Sequence, residues 1–346
     1  MKIDKSFWNQ KKVLITGHSG FKGTWLSVIL KEFGANVYGI SKENLNSDLY
    51  DFLTNKDIFT EEHFMDLSST STEGLKDILG NTKFDVVFHL AAQSLVPEAF
   101  TNPLETLKVN IFGTFHVLMA CVQKDLTKSV VVSTTDKVYR DPSSYNVEDS
   151  PLGGHEFYSS SKVSQEMIID AFKSYSEKIK ISTVRSGNVL GPGDGARGRI
   201  VTDIINALNT RTEIELRQPY SIRPWQDILD SLYGYLLAAQ SNFINKKSNI
   251  YNLNSEINNE VTVKELAEKF ISRWGSNTKI VELENKEFYE SEELRLDSSK
   301  AINELGWNST VDIDLIIEKI CEWELAESIE LKEEVIKNQI KNYFHL

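Results

Sequence analysis

Short apolar runs alternate with amphipathic stretches along the first half of the chain. Residues 12–16 (KVLIT) form a continuous apolar run typical of a buried strand, and residues 21–33 have the pattern of a helix that follows it. Because strands that alternate with helices form a parallel sheet covered on both faces, the pattern predicts an α/β fold with a doubly wound parallel sheet. The further predicted strands are residues 36–40, 84–90, 130–133 and 181–185, and the further predicted helices are residues 72–79, 104–123 and 158–177.

The pattern changes after residue 186. Residues 187–198 (GNVLGPGDGARG) are rich in glycine, which predicts a loop outside regular structure. We expect a first domain over residues 1–186 and a smaller C-terminal α/β domain over residues 187–346 that is interleaved with the first. The helices predicted in this second half are residues 200–209, 227–240, 262–274 and 311–328, with a charged surface helix at 322–341.

Composition and charge exclude several classes of protein. With 346 residues and 40% hydrophobic composition, the chain is long enough for one large or two modest domains. The formal net charge of −12 argues against nucleic acid or an anionic membrane as the main partner, since both attract basic surfaces. Cys121 and Cys321 lie far apart and match no metal-ligand spacing, so we expect no metal site and a reduced protein. The polar start of the chain, without any run of transmembrane length, predicts a cytoplasmic location.

A glycine-rich turn follows the first predicted strand. Gly17, Gly20 and Gly23 have the spacing Gly-x-x-Gly-x-x-Gly between strand and helix, the context in which such glycines bind a dinucleotide. Small residues let the backbone approach a pyrophosphate, which the free N–H groups at the helix N-terminus then bind. The turn therefore predicts a dinucleotide site, and the intervening residues included in it are Ser19, Phe21 and Lys22.

The residues at the adenosine end leave the identity of the dinucleotide open. The second strand ends in Ile40-Ser41-Lys42 without the acid that usually binds the ribose, and Lys42 is compatible with a 2′-phosphate. A surface lysine at a strand end is the commoner explanation, so we expect NAD, with NADP as the alternative. Asp66 and Leu67 end the next short strand and are candidates to bind the adenine, although an acid here is equally typical of a turn or a helix cap.

Small and polar residues after later strands extend the predicted cofactor site. Ala91 and Ala92 follow the strand at 84–90, where small side chains let the backbone pass beside a dinucleotide, and Gln93 comes next. Asn110 lies inside a predicted helix, where asparagine has poor propensity, and we expect it to support the surroundings of a catalytic lysine. Ser133, at the end of a further strand, completes the predicted cofactor contacts.

Two short segments carry the candidate chemistry. Tyr158 and Lys162 are four residues apart on one predicted helix, so they share a face, and a nearby ammonium lowers the pKa of a tyrosine. Such a base removes an alcohol proton while a nicotinamide takes the hydride. Thr135, Asp136 and Lys137 follow a strand and add a carboxylic acid that can protonate a leaving hydroxyl.

These residues together resemble the extended short-chain dehydrogenase/reductase family over nearly the whole chain. The Thr135-Asp136-Lys137 triplet is similar to that of nucleotide-sugar 4,6-dehydratases, many of which carry Thr-Asp-Glu, and lysine in third place is the pattern of CDP-glucose 4,6-dehydratases. Gly195 and Asp227 depart from that subfamily, which usually has Trp and His at these places in the predicted substrate region. Further matching strings are GHSGFKG at 17–23, PLGG at 151–154, GNV at 187–189 and RPWQ at 223–226.

The resemblance implies a Rossmann-like fold and an internal redox reaction through bound NAD. It implies that Tyr158 removes the proton from the sugar O4 and that Lys162 holds the pKa of this phenol down and contacts the nicotinamide ribose. It implies that Thr135 hydrogen-bonds O4 and that Asp136 protonates the departing C6 hydroxyl. Lys137 is then expected to act at C5 as a base in its neutral form, and the alternative is a cation that stabilises the enolate while water or another group takes the proton. The product is a 4-keto-6-deoxy sugar nucleotide.

The second half is expected to bind the nucleotide-diphosphate sugar. Arg199 and Arg223 are candidates to bind the diphosphate, because guanidinium groups match phosphate oxygens. Asn188 is a candidate to hydrogen-bond the pyrophosphate or the sugar. Trp225 is a candidate to pack on a ring, although a core tryptophan is equally typical. The resemblance also implies a homodimer through the helices at 104–123 and 158–177.

Two other functions fit part of the pattern. A nucleotide-sugar 4-epimerase or reductase of the same family explains the glycine turn, Tyr158 and Lys162, but leaves the Thr135-Asp136-Lys137 triplet unused. A non-catalytic dinucleotide sensor predicts loss of the tyrosine or the lysine, and both are present.

Overall fold

The computed structural model describes residues 3–42, 49–50, 57–141, 143–196, 198–255, 260–283 and 294–346. Within these ranges the strands are β1 (Lys12–Thr16), β2 (Asn36–Ser41), β3 (Phe59–Phe64), β4 (Val86–His89), β5 (Ser129–Thr135), β6 (Lys180–Ser186), β7 (Asn188–Leu190), β8 (Ile214–Leu216), β9 (Ile222–Asp227), β10 (Ile250–Leu253), β11 (Glu260–Thr262) and β12 (Ile280–Glu282).

The helices of the same ranges follow in chain order. They are α1 (Lys5–Trp8), α2 (Phe21–Glu32), α3 (Thr72–Leu79), α4 (Val96–Thr101), α5 (Pro103–Leu107), α6 (Thr114–Gln123), α7 (Phe157–Tyr175), α8 (Ile200–Thr210), α9 (Ile228–Asn245), α10 (Val263–Trp274), α11 (Ser299–Leu305), α12 (Ile313–Glu324) and α13 (Ile329–Phe344). A π-helical turn (Lys108–Gly113) joins α5 to α6, and a 3₁₀ turn (Asp136–Val138) follows β5.

A seven-stranded parallel sheet organises the molecule, with the strand order β10-β6-β5-β4-β1-β2-β3. Its register aligns the carboxyl ends of neighbouring strands: Thr16 of β1 lies beside His89 of β4, and Thr135 of β5 lies beside Ser186 of β6. The loops that follow these strands therefore meet at one edge of the sheet, where parallel α/β folds bind their ligands. The predicted doubly wound parallel sheet is confirmed, and β10 of the second half completes it.

Hydrophobic clusters cover both faces of this sheet. Trp25 of α2 and Leu232 of α9 belong to the cluster on one face, and Leu118 of α6 and Phe172 of α7 belong to the cluster on the other. A third cluster joins side chains of α8, α10 and α12 around Phe270. Burying a large apolar side chain of this kind contributes about 1.5–3 kcal/mol, so these clusters hold the helices against the strands.

Three predicted elements differ from the structure. Asn188–Leu190 forms β7 inside the segment predicted as a loop, because it finds a partner in β9 that no local pattern reveals. The helix predicted over residues 104–123 is instead α5, the π-helical turn and α6, because the Asn110 side chain is used in tertiary hydrogen bonds. The overlapping helices predicted at 311–328 and 322–341 are α12 and α13, and Ser328 caps the second by accepting from Leu331 N.

None of the helices in the described part of the chain combines the length and the apolar character that crossing a membrane requires.

Candidate active site

The glycine turn after β1 has the shape that a pyrophosphate needs. Gly17 has φ +77°, and a Cβ there would lie 2.7 Å from Ala91 N, so this close approach of two loops requires glycine. A Cβ at Gly23 would lie 2.0 Å from Gly17 O, which explains why α2 packs so tightly on the turn. Gly20 is the N-cap of α2 and provides no side chain to cap it, so the first N–H groups of the helix suit an anion.

Two neighbouring segments hold this turn in place. Ser19 N donates a hydrogen bond to Ser41 Oγ at 3.1 Å, which ties the turn to the end of β2. Phe21 is buried, and its ring lies beside Gly191 of the second half, where an added Cβ would be 3.3 Å from Phe21 Cζ. The turn is therefore a rigid part of the sheet edge.

The expected adenine-binding pair lies where β3 ends. Leu67 is buried, whereas the Asp66 carboxylate is half-buried and accepts a hydrogen bond from Ser68 N at 2.8 Å. The same carboxylate lies 2.8 Å from Lys42 Nζ. Asp66 therefore makes the hydrogen bond within a turn that the sequence analysis gave as the alternative to adenine binding. It also forms an ion pair with Lys42, which the sequence pattern did not reveal.

Asn110 links the loop after β4 to helix α7. Its side-chain Oδ1 accepts from Gln93 N at 2.9 Å, and its Nδ2 donates to Gln93 O at 2.9 Å and to Ser161 Oγ at 2.8 Å. Ala91 and Ala92, just before Gln93, are half-buried at the same edge of the sheet. Asn110 therefore positions the residue directly before Lys162, through a bond that the π-helical turn makes possible.

Tyr158 and Lys162 lie on one face of α7, as their spacing predicts. A capping box at Glu156 and Ser159 begins this helix one turn before the lysine, and Glu156 accepts from Tyr158 N at 2.5 Å. Lys162 Nζ donates to Ser133 O at 3.1 Å. The candidate catalytic pair is thus joined to the end of β5, and both side chains are buried.

Burial moves the pKa values of both groups toward their uncharged forms. Burial, reinforced by the nearby charge of Lys22, lowers the pKa of the Lys162 ammonium to about 7. Burial also raises the pKa of the Tyr158 phenol, although the hydrogen bond with Thr135 and the charge of Arg199 act in the opposite direction. The expected lowering of the tyrosine pKa is therefore wrong for the chain by itself, because desolvation outweighs these favourable neighbours.

The acid beside this pair is buried and only partly hydrogen-bonded. Thr135 Oγ1 donates to Asp136 Oδ1 at 2.9 Å, and Lys137 N donates to Thr135 Oγ1 at 3.3 Å. Asp136 is 3% exposed, and its Oδ2 has no hydrogen-bond partner among the residues that the structure describes. Burial raises the pKa of Asp136, and the charges of Lys137 and Arg223 offset only part of this effect. The carboxyl is therefore suited to hold and release a proton.

Arg199 and Arg223 are the two candidate substrate residues that carry a guanidinium group. Arg199 Nη1 lies 2.6 Å from Asp194 Oδ2, and its Nη2 donates to Ser94 Oγ at 3.1 Å, so it joins the first half of the chain to the second. Arg223 is buried, and its Nη1 donates to Ile222 O. Because Arg199 acts on the pKa of Tyr158 and Arg223 on that of Asp136, both guanidinium groups lie close to the candidate catalytic side chains.

Trp225 belongs to the hydrophobic core of the second half. It is 1% exposed, and its indole N–H donates to Val261 O at 3.0 Å. The proposed stacking of this ring on a substrate is therefore wrong for the chain by itself, because neighbouring apolar side chains cover the ring. Asn188, which lies beside Trp225 in the β7–β9 pair, is half-buried.

A hydrogen-bonded chain that the sequence pattern did not reveal runs from β1 to the lysine. Thr16 Oγ1 pairs with His89 Nδ1 at 2.7 Å, and His89 Nε2 pairs with Thr114 Oγ1 at 2.9 Å. Gln165 Nε2 donates to Thr114 Oγ1 at 2.7 Å, and Gln165 Oε1 accepts from Lys162 Nζ at 2.8 Å. Burial, with the charge of Lys162, lowers the pKa of His89 to about 3, so the ring is neutral. The one sequence signal was the position of Gln165 three residues after Lys162 on a helix.

Tyr235 of α9 is a second residue that the sequence analysis missed. Its hydroxyl is 2.7 Å from Ser133 Oγ and accepts from Lys22 Nζ at 3.4 Å. Lys22 therefore lies near Ser133 and the candidate catalytic residues that follow it. Its ammonium is 5.3 Å from the Tyr235 ring centroid. Since Tyr235 and Ser133 are 102 residues apart in the sequence, no local pattern predicts their contact.

Comparison with known proteins places the chain in a family. The profile of the GDP-mannose 4,6 dehydratase family matches residues 14–320. The CDP-glucose 4,6-dehydratase of Salmonella typhimurium is 35% identical over 339 residues, which cover 94% of this chain and 93% of that protein. The dTDP-D-glucose 4,6-dehydratase of Homo sapiens is 27% identical over 325 residues, which cover 90% of this chain and 89% of that protein.

Solved structures share the fold over almost the whole chain. The dTDP-glucose 4,6-dehydratase of Bacillus anthracis in complex with NAD has a TM-score of 0.76 at 18% identity, covering 94% of this chain and 99% of that one. MoeE5 in complex with UDP-glucuronic acid and NAD has a TM-score of 0.77 at 22% identity, covering 93% and 99%. These likenesses and the sequence relatives confirm the resemblance drawn from the motifs. The chain therefore belongs to the GDP-mannose 4,6 dehydratase family of extended short-chain dehydrogenase/reductase enzymes.

Proposed function

We propose that the protein is a nucleotide-sugar 4,6-dehydratase that converts CDP-glucose to CDP-4-keto-6-deoxyglucose with bound NAD. The Salmonella relative, 35% identical over most of the chain, supports the choice of substrate. One structural observation carries the choice of reaction: the buried Asp136 carboxyl, with a raised pKa and an oxygen that no described residue hydrogen-bonds. A dehydratase needs such an acid to protonate a leaving hydroxyl, whereas a 4-epimerase does not.

The glycine turn and the buried catalytic pair fit NAD. Gly17, Gly20 and Gly23 leave room for a pyrophosphate at the start of α2. NAD, when bound, supplies the acceptor and then the donor of one hydride, and its positive charge favours the phenolate form of a neighbouring tyrosine. Tyr158 takes the proton from the sugar O4. The charged form of Lys162 stabilises the phenolate form of Tyr158.

Asp136 and Thr135 serve the departing and reacting oxygens of the sugar. Because burial raises its pKa, the Asp136 carboxyl holds a proton more readily than an exposed aspartate does, and it gives this proton to the C6 hydroxyl as water leaves. Thr135 Oγ1, which contacts both Asp136 and Tyr158, hydrogen-bonds the O4 atom. Proton transfers of this kind each accelerate a reaction about 10²–10⁴-fold.

Lys137 is the group that we assign to C5. Loss of the C5 proton beside a 4-ketone places negative charge on the ketone oxygen, and a nearby cation stabilises that charge. Lys137 is half-buried next to Asp136. A neutral Lys137 amine takes the C5 proton itself, whereas a Lys137 ammonium stabilises the enolate while water takes the proton.

We assign the nucleotide-diphosphate part of the substrate to residues 187–346 and the cofactor to residues 1–186. Arg199 and Arg223 supply the cations that an acidic protein needs to hold a diphosphate. Asn188, at the start of β7, supplies an amide for hydrogen bonds to the pyrophosphate or sugar.

We also propose that the protein is a homodimer through α5, the π-helical turn and α7, which pack against one another. Leu104, Phe112 and Met167 are 64%, 55% and 66% exposed on these elements, and large apolar side chains exposed on neighbouring elements are typical of interfaces. Light scattering should give the mass of a dimer and, for Met167→Glu, that of a monomer. Leu331→Glu, at a 48% exposed position of α13, is the matched control, and a monomeric wild-type protein would contradict the proposal.

The reaction is tested by incubating the purified protein with CDP-, dTDP-, UDP- and GDP-hexoses and measuring product mass. Loss of one water from the CDP sugar is the expected result. Isomerisation without a change of mass would indicate an epimerase, and dehydration of another sugar nucleotide alone would overturn the choice of base.

A further inference from the structure

Three charged side chains meet where β2 ends, the place at which dinucleotide-binding folds usually carry an acid for the adenosine ribose. Lys42 follows β2 directly, and its Nζ lies 2.8 Å from Asp66 Oδ2 and 3.9 Å from Glu105 Oε1. Asp66 follows β3 and Glu105 lies on α5, so three separate elements supply this cluster. We call Lys42, Asp66 and Glu105 the adenosine-end cluster.

The position of this cluster relates it to the cofactor turn. Ser41, the residue before Lys42, accepts a hydrogen bond from Ser19 N at 3.1 Å. The end of β2 is therefore held against the turn of residues 17–23 that fits a pyrophosphate. A ligand that binds this turn and extends toward β2 encounters the charges of the cluster.

The cluster has a negative formal balance, with one ammonium against two carboxylates. The hydrogen bond with Asp66 raises the pKa of Lys42, so the ammonium stays charged at neutral pH. Burial acts to raise the pKa of Asp66, but the hydrogen bonds from Lys42 and Ser68 outweigh it and lower that pKa. A lysine alone at the end of β2 would attract a phosphate, whereas here its charge is more than compensated.

We propose that the adenosine-end cluster makes the protein select NAD against NADP, with Asp66 and Glu105 together replacing the acid that β2 lacks. The inference rests on the proposed function, because it presupposes that a dinucleotide binds the turn at residues 17–23. A 2′-phosphate carries about two negative charges near neutral pH, and the two carboxylates repel it. A 2′-hydroxyl experiences no such repulsion.

The test is the ratio of the dissociation constants of NADP and NAD, measured by titration calorimetry on protein freed of bound nucleotide. The wild-type ratio should favour NAD, and the double variant Asp66→Asn with Glu105→Gln should shift it toward NADP by about tenfold or more. Each single variant should shift it less, and Lys42→Met should shift it further toward NAD. Any adenine contact that Asp66→Asn weakens for both nucleotides cancels in the ratio.

A matched control removes a carboxylate from a distant ion pair. Asp314→Asn on α12 breaks the 2.6 Å pair with Lys269 of α10 and should leave the ratio unchanged. Because exposed ion pairs contribute little to stability, these variants should all fold. If the wild-type protein binds NAD and the double variant has the same ratio of NADP and NAD dissociation constants, this inference alone is overturned. A wild type that binds neither nucleotide would overturn it together with the proposed function.

Discussion

The two ends of the candidate cofactor site hold charged groups in opposite settings. At the adenosine end, the Lys42 and Glu105 side chains are 52% and 41% exposed, and Lys42 forms ion pairs with both Asp66 and Glu105. At the catalytic end, Asp136 and Lys162 are 3% and 2% exposed. Burial raises the pKa of Asp136 and lowers that of Lys162 to about 7.

Under the proposed function, this difference separates ligand recognition at one end from acid–base chemistry at the other. Exposed, paired charges keep their charge over a wide pH range, so they act on a ligand through their sign. Buried groups whose pKa values move toward neutrality exchange protons easily, which is the property of an acid–base catalyst. Five variants test the comparison, beginning with the largest expected effect.

Tyr158→Phe removes the phenol and should abolish the first hydride transfer, lowering its rate by about 10²–10⁴-fold or more. The measurement is the formation of reduced nicotinamide in a single turnover. Tyr175→Phe, on the exposed end of the same helix, is the control. A Tyr158→Phe variant with a rate within a few-fold of the wild type would remove the phenol from the proposed mechanism.

Asp136→Asn should lower the rate of water loss by about 10²-fold or more, while the first hydride transfer persists. The same change should raise the melting temperature at neutral pH. A raised pKa means that the ionised carboxylate destabilises the folded protein above the ordinary pKa, and the amide removes this cost. Mass analysis and calorimetry measure the two effects, with exposed Asp170→Asn as control. Full dehydratase activity in the variant would show that Asp136 is not the acid.

His89 should make folding stability depend on acid pH. Its pKa is about 3 in the folded protein against an ordinary value of 6.5, so the unfolded chain binds more protons between these values. Stability should therefore fall as the pH falls from 6.5 toward 3, by a term on the order of 2–4 kcal/mol. The measurement is the free energy of unfolding, obtained from urea titrations at several pH values across this range. It should depend less steeply on pH in His89→Gln than in the wild type or in exposed His155→Gln. Parallel slopes would contradict a buried neutral imidazole.

Lys42→Met should have the smallest effect on stability, less than about 1 kcal/mol, because exposed ion pairs are well solvated. Lys162→Met should instead stabilise the protein below pH 7, where the wild type holds a buried ammonium. Urea unfolding measures both changes. A large loss of stability in Lys42→Met would mean that the adenosine-end cluster holds the fold, and the contrast between the two ends would then fail.

The features that the sequence analysis predicted correctly are those with local causes. The KVLIT run at residues 12–16 is a strand because Val13, Leu14 and Ile15 are apolar and buried, and the parallel sheet follows from the alternation of such runs with helices. Tyr158 and Lys162 share a helix face because four residues make about one turn. The glycine spacing predicts a tight turn, and Gly17 in this turn has a positive φ, which glycine adopts readily.

The features that escaped prediction depend on partners far away in the chain. Asn110 lies in a π-helical turn from which its side chain reaches Gln93 and Ser161, and Ser133 contacts Tyr235, which is 102 residues away. The direction of the Tyr158 pKa shift also escaped prediction, since desolvation depends on everything that covers the ring.

The amino-acid sequence by itself determined most strands of the central sheet, the helix faces and the kinds of chemical group in the site, because these depend on neighbours within a few residues. Only the tertiary structure decided which groups are buried, which charges are paired and which protons are labile. Those properties depend on the solvent excluded and the partners supplied by segments as distant as Ser133 and Tyr235.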